Sequence, residues 1–247
     1  MSDTFDAGNP LAWPLRWSVI RGIDAASHAG HTAPAQSSIN QSASGSGDNV
    51  VFLYTANNVV ANHDNHAVVG GARDDTIGIG GNVVPFGGSG AMPFLRGAGS
   101  GALSGGTGPL GVSGGLSAAT VFGGAGRTSA DFGGTGSALV VMASGAEEYI
   151  GGSGNDVVVA GLGNDTVFAG SGSDVFTLGN QPGAPKDLIA GFNLGGDLLQ
   201  MHGFAAAVPR QAVQTASVSG GHAILHLPDG TTVTLVGIAN LTGSAIV

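Results

Sequence analysis

The sequence predicts an all-β protein: a parallel β-roll, or β-solenoid, of nine-residue rows with a C-terminal β-hairpin as its cap. Three observations predict it. Residues 151–159, 160–168 and 169–177 repeat one nine-residue pattern, with Gly second and fourth, Asp sixth and a large apolar residue eighth. The same phase, weakened, runs back through much of the chain. Near the C-terminus, two alternating apolar segments flank Pro228, Asp229 and Gly230, which is a hairpin signature.

Residues 1–42 stand outside the repeat. Trp13, Leu15, Trp17, Val19 and Ile20 are their strongly apolar part, and residues 25–44 are small and polar, as a linker is. Two roles are open to this segment: a strand or short helix over the first coil, or docking onto a neighbouring copy.

The rows begin at about residue 43. They open at Ala43, Phe52, Ala61 and Gly70, and then, after a period short by one, at Gly87, Arg96, Gly105, Gly114, Gly123, Gly133 and Met142. In each row six Gly-rich residues make a turn, because glycine accepts backbone angles that side chains forbid. Three residues then make a short strand whose eighth position enters the core. Those positions read Val50, Val59, Val68, Ile77, Phe94, Leu103, Val112, Val121, Ala130, Val140 and Tyr149. The row from Gly123 carries one extra residue, which offers Phe132 as a substitute for Ala130. About fifteen rows over residues 43–177 result.

Two rows complete a coil, so alternate turns stack on the same edge. Asp156 and Asp174 are expected on one edge and Asp165 on the other. Carboxylates stacked about 4.8 Å apart repel each other unless a cation lies between them. Calcium suits this place, because it is a hard ion taking about 6–8 oxygens in flexible geometry. The candidate ligands are the carboxylates of Asp156, Asp165 and Asp174. The turn backbone at Gly152, Ser153, Gly154, Gly161, Gly163, Gly170, Ser171 and Gly172 supplies the remaining oxygens. One ion is expected between turns 151–156 and 169–174. A second joins the turn ending in Asp165 to a neighbour on its edge. Glu147 holds the sixth position one row earlier, either as a participant or as a group behind the ligands.

The carboxylate does not persist. The sixth position is Asp48, Asn57, His66 and Asp75 in the first rows, then Met92, Gly101, Leu110, Ala119, Thr128 and Ala138. The middle rows are therefore expected to bind no calcium, as either a dry, tightly wound stack or a loosely ordered one. Asp48, Asp74 and Asp75 offer a lesser N-terminal site.

The nine-residue motif resembles the repeat of the RTX, or haemolysin-type calcium-binding, family. The resemblance implies calcium-dependent folding, export by a type I system through an uncleaved C-terminal signal, and residence outside the cell or at its surface. There calcium is abundant, whereas in the cytosol the Asp files would hold the roll open. Residues 187–199 resemble the segment that closes the last coil in many members, which brings in Asp187 and Asp197 as further oxygen ligands. The apolar tail 244–247 is compatible with an export signal. Residues 178–247 thus read as cap and signal together.

Composition fits these expectations. The chain has 247 residues, 47 Gly and 10 Pro, without a triplet period, which excludes collagen. Only 9% of residues are charged and the formal net charge is −9, in keeping with a cation binder. Lys and Arg total 7 and are scattered, so nucleic acid is not an expected partner. Cysteine is absent, which removes disulfides and thiol chemistry. No apolar run reaches the length of a membrane span. The acidic opening of Met1, Ser2 and Asp3 predicts no conventional secretory signal.

Other motifs carry little. Residues 111–115 match G-x-S-x-G and residues 106–111 match G-x-G-x-x-G, but Gly abundance explains both, and no strand-turn-helix context surrounds them. His28 with His31, and His63 with His66, have metal-like spacing but read as turn residues; His222 and His226 read as exposed hairpin residues. No acid, base and nucleophile set converges, so no catalysis is expected. The leading function is a secreted calcium-binding structural module. A self-assembling surface or matrix protein, as a homo-oligomer or filament, is the second class, and a polysaccharide-binding module the third. Ice binding is disfavoured, because the third positions form no regular Thr rank.

Overall fold

The computed structural model describes residues 40–43, 49–52, 59–62, 66–72, 74–79, 83–96, 101–114, 118–241 and 243–247. The strands open as β1 (Asn40–Ala43), β2 (Asn49–Phe52), β3 (Val59–Asn62), β4 (His66–Val69), β5 (Thr76–Ile79), β6 (Val83–Phe86), β7 (Met92–Arg96) and β8 (Gly101–Ser104). They continue as β9 (Leu110–Ser113), β10 (Ala119–Phe122), β11 (Thr128–Asp131), β12 (Ala138–Val141), β13 (Glu148–Ile150), β14 (Val157–Val159), β15 (Thr166–Phe168) and β16 (Val175–Gly179). After them come β17 (Lys186–Ala190), β18 (Leu198–His202), helix α1 (Val208–Thr215), β19 (Ser217–Ser219), β20 (His222–His226) and β21 (Thr232–Val236). The segment before β1 and Asp48 lie outside the described residues, as do His28, His31, Asn57 and His63.

Odd strands β1 to β17 stack in parallel into one sheet and even strands β2 to β18 into a second. The chain is therefore a parallel β-solenoid, nearly all β, as the repeat predicts. The core fills the gap between the sheets. From Val68 onward the eighth positions named above are buried, and Val158, Val167 and Phe176 continue the rank. Ala130 keeps its place, aligned with Val112 and Tyr149, while Phe132 is buried beside it. The two are complementary: the small Ala130 leaves room, and the Phe132 ring packs on Tyr149 at 6.0 Å between centroids.

The first rows differ from the expected phase. Val51 aligns with Val68, and Val60 with Ile77, one residue beyond the expected Val50 and Val59. These early coils span 17 residues, as the Asp74–Ala91 contact does, against 18 or 19 later. The sequence between β2 and β4 has no paired glycine to mark the length of its rows, and a one-residue slip exchanges the two faces of a strand. The row before Gly87 places Pro85 at a buried position aligned with Val68. Proline has no N–H to give a ladder, and the β6–β8 pairing is reduced to Phe86 with Ser104.

The hairpin forms where Pro228, Asp229 and Gly230 predict it. β20 and β21 are antiparallel, Gly230 takes a φ of 91°, and Thr231 N–H donates to Asp229 Oδ1. β21 pairs in parallel with β17, so the hairpin covers the end of the odd sheet by extending it. The even sheet ends differently. Ile246 bridges Leu199, and Met201 N–H donates to the Val247 carbonyl, so the tail docks on β18. Helix α1 contacts both β20 and β18 and closes the core between them with Val208 and Ala212. Sequence analysis missed this helix; Pro209 in its first turn and the Val208/Ala212 spacing were its signals.

Candidate metal centre

From Met92 onward the sixth position ends a turn, and wherever it carries a side chain that side chain is buried. In the middle rows it carries Met92, Leu110, Ala119, Thr128 and Ala138, all buried. The same position in the later rows carries Glu147, Asp156, Asp165 and Asp174, and after them Asp187 and Asp197, equally buried. Asp75 is buried as well, whereas Asp74 is exposed and accepts from Ala91 N–H.

The carboxylates form two files. On one edge Asp156 Oδ1 accepts from Ala138 N–H at 2.7 Å, Asp174 Oδ1 from Asp156 N–H at 2.8 Å, and Asp197 Oδ1 from Asp174 N–H at 2.9 Å. On the other edge Asp165 Oδ1 accepts from Glu147 N–H and Asp187 Oδ1 from Asp165 N–H, both at 3.1 Å. Each acid thus hangs on the backbone one coil back. Asp156 and Asp174 share an edge and Asp165 takes the other, as the two-row coil requires. Asp187 and Asp197 continue the files, although the linking segments are longer than a row.

The second oxygens divide the acids into two kinds. Asp165 Oδ2 accepts from Gly161 N–H, and Asp197 Oδ2 from Asn193 N–H, so both oxygens of these residues are engaged. Asp156 Oδ2, Asp174 Oδ2, Asp187 Oδ2 and Glu147 Oε2 are buried with no hydrogen-bond partner. A buried polar atom left in this state costs about 1–3 kcal/mol, and more when charged. Among the described residues no Lys, Arg or His pairs with these six acids; the ion pair Arg127–Glu148 lies on the outer surface. For Glu147, Asp156, Asp174 and Asp187 burial favours the neutral form. It pushes the Asp174 carboxyl up to about 6, with Asp197 and Asp156 adding repulsion. It pushes Asp187 up to about 7, helped by Asp165. Glu147 rises to about 8, through burial and then the neighbouring Asp165 carboxyl. Asp156 is raised by burial too. The buried Tyr149 phenol faces it and is raised by burial and by that carboxyl, but no hydrogen-bond geometry joins them.

The turn glycines complete the surroundings. Cβ atoms added at Gly152, Gly161, Gly163, Gly170 or Gly172 would strike the carbonyl oxygens of Gly134, Ala143, Gly145, Gly152 and Gly154 respectively. At Gly154 the clash would be with Gly136. Carbonyls of successive coils are thus stacked too closely for any side chain, and Gly170 and Gly172 also need φ of 87° and 130°. Ser153 and Ser171 lie exposed in these turns, and their N–H groups donate to Gly134 and Gly152. Among the described residues no three His, Cys, Asp or Glu side chains converge on one point. A cation here would take two carboxylates at most and the rest from backbone oxygens. The donor set, all oxygen, with orphaned carboxylates and the carbonyls of the turns, fits calcium.

Sequence reasoning also missed the fifth position. Asn155 Oδ1 accepts from Ser173 N–H at 2.9 Å and Asn164 Oδ1 from Lys186 N–H at 2.8 Å, tying each turn to the next coil. The repeated Asn-Asp pair was the available signal.

A parallel β-roll with acid files in glycine turns defines a class of repeat protein. The family model of the RTX calcium-binding nonapeptide repeat matches residues 143–181, in four copies. This segment carries RTX repeats, in agreement with the resemblance read from residues 151–177, and the match adds the row that holds Glu147. RTX nonapeptide repeats bind calcium. No curated protein matches the chain.

Proposed function

We propose that this chain is a secreted, non-catalytic RTX-type module whose last coils fold on calcium. The carrying observation is the set of buried, unpartnered oxygens on Asp156, Asp174, Asp187 and Glu147, set among stacked glycine carbonyls. One ion sits between turns 151–156 and 169–174, bound by Asp156 and Asp174. A second joins the turn ending in Asp165 to one neighbouring turn on its edge, with Asp165 and a single further carboxylate beside backbone oxygens. Asp197 closes the first file. Gly152, Ser153, Gly154, Gly161, Gly163, Gly170, Ser171 and Gly172 lend backbone oxygens. Residues 43–177 are the roll and residues 178–247 the cap with the type I export signal, while residues 1–42 precede them. No helix among the described residues is long and apolar enough to cross a membrane.

Calcium titration of chelated protein by calorimetry, followed by circular dichroism, tests the reading. Heat of binding and a gain of β signal at millimolar calcium are expected. Neither would appear if the files were merely structural.

A further inference from the structure

The two outer faces of the roll differ. The odd sheet shows Asp131, Glu148 and Ser129 to solvent, with the Arg127–Glu148 ion pair across it, so its exposed Leu95 and Phe168 are interrupted by charge. On the even sheet the outward ladders align Thr120, Leu139, Val157, Val175 and Leu198, and beside them Phe86, Ser104, Phe122, Val141, Val159 and Thr177. None of these is charged. Phe86 and Phe122 are each 44% exposed, and Val84, Leu139 and Val157 are exposed as well. A groove of about 440 Å³ lies at the rim, lined by Thr120, Ala138, Leu139, Asn155 and Val157.

We propose that this even-sheet face is where two copies of the chain associate, packed sheet against sheet. Charge selects the occupant. Each copy carries a net charge of −9, so the approach of a second copy is opposed least where both meeting faces are free of charge. A basic or acidic partner would find nothing here to pair with. Geometry agrees, because both copies present the same strand spacing and their apolar ridges can interdigitate about 10 Å apart, as in a β-sandwich. With strands about 4.8 Å apart and four residues of about 3.3 Å each, the seven strands β6 to β18 offer roughly 450 Å² per copy. Roughly 900 Å² in all is the size of a weak, reversible interface. The contact is two-fold, so each groove receives an aromatic side chain of the facing copy.

Sedimentation velocity of the full chain in calcium, from low micromolar to several hundred micromolar, tests this. A concentration-dependent dimer is expected. Phe122→Thr with Leu139→Thr should weaken it at least about tenfold, since two-fold symmetry doubles each loss. Phe168→Thr on the odd sheet should not. Circular dichroism checks that the variants remain rolls. A chain monomeric at every concentration, or a dimer indifferent to Phe122→Thr with Leu139→Thr, overturns the proposal. So does a monomer whose tryptophan emission, from Trp13 and Trp17 alone, shifts red in that variant, because the face is then covered by the chain's own N-terminal segment.

Discussion

At Asp174 one oxygen holds the backbone of the previous coil and the other has nothing to hold. Asn keeps the first function and loses the charge that serves the second. Asp174→Asn should therefore fold with calcium in excess but bind it at least about tenfold more weakly, a change of ~1.4 kcal/mol readable by calorimetry. Asp131→Asn, whose Oδ1 only caps its own turn at Gly133, should leave binding unchanged. Protons compete for the same oxygens. The folded pKa values of about 6 for Asp174, 7 for Asp187 and 8 for Glu147 lie above those of the unfolded chain. Without calcium, stability is fully present below the unfolded values near pH 4 and is lost as pH rises through 6 to 8. Thermal melts in chelator should give a higher midpoint at pH 5 than at pH 8. Calcium must displace these protons, so its affinity should rise over the same interval.

At the scale of the element, the row is a fixed frame whose sixth position takes either a carboxylate or an apolar side chain. Ala138 stands one coil beyond Asp156 and gives it an N–H. Ala138→Asp should lengthen that file: calorimetry should count one more calcium, and the chelated protein should melt at a lower temperature. The frame itself was legible in the sequence where glycines and acids kept phase, from Tyr149 to Phe176. It was misread by one residue at Val50 and Val59, because the early turns lack the paired glycines that reveal their length. Helix α1 left only Pro209 and the Val208/Ala212 spacing as signals and the docking of Ile246 left none, since their stability comes from the ends of two sheets assembled from distant residues. Nor could spacing separate Asp165, with both oxygens engaged, from Asp156, with one left over.

At the scale of the molecule, acid-bearing coils lie between an apolar-turned roll and a packed cap. In a solenoid each coil leans only on its neighbours, so stability is a local sum. Hydrogen exchange on adding chelator should show lost protection around Glu147, Asp156, Asp165 and Asp174, while β9 to β11 keep theirs. Leu110, Ala119 and Thr128 bury no charge there and need no ion to neutralise one. The parallel ladder also has a mechanical meaning. Its hydrogen bonds run along the stack from β2 to β18, so tension applied along that axis opens the strands row by row, like a zipper, rather than shearing them together. Coils cross-linked by divalent ions would then act as a clutch near one end, holding under load until the ion is withdrawn.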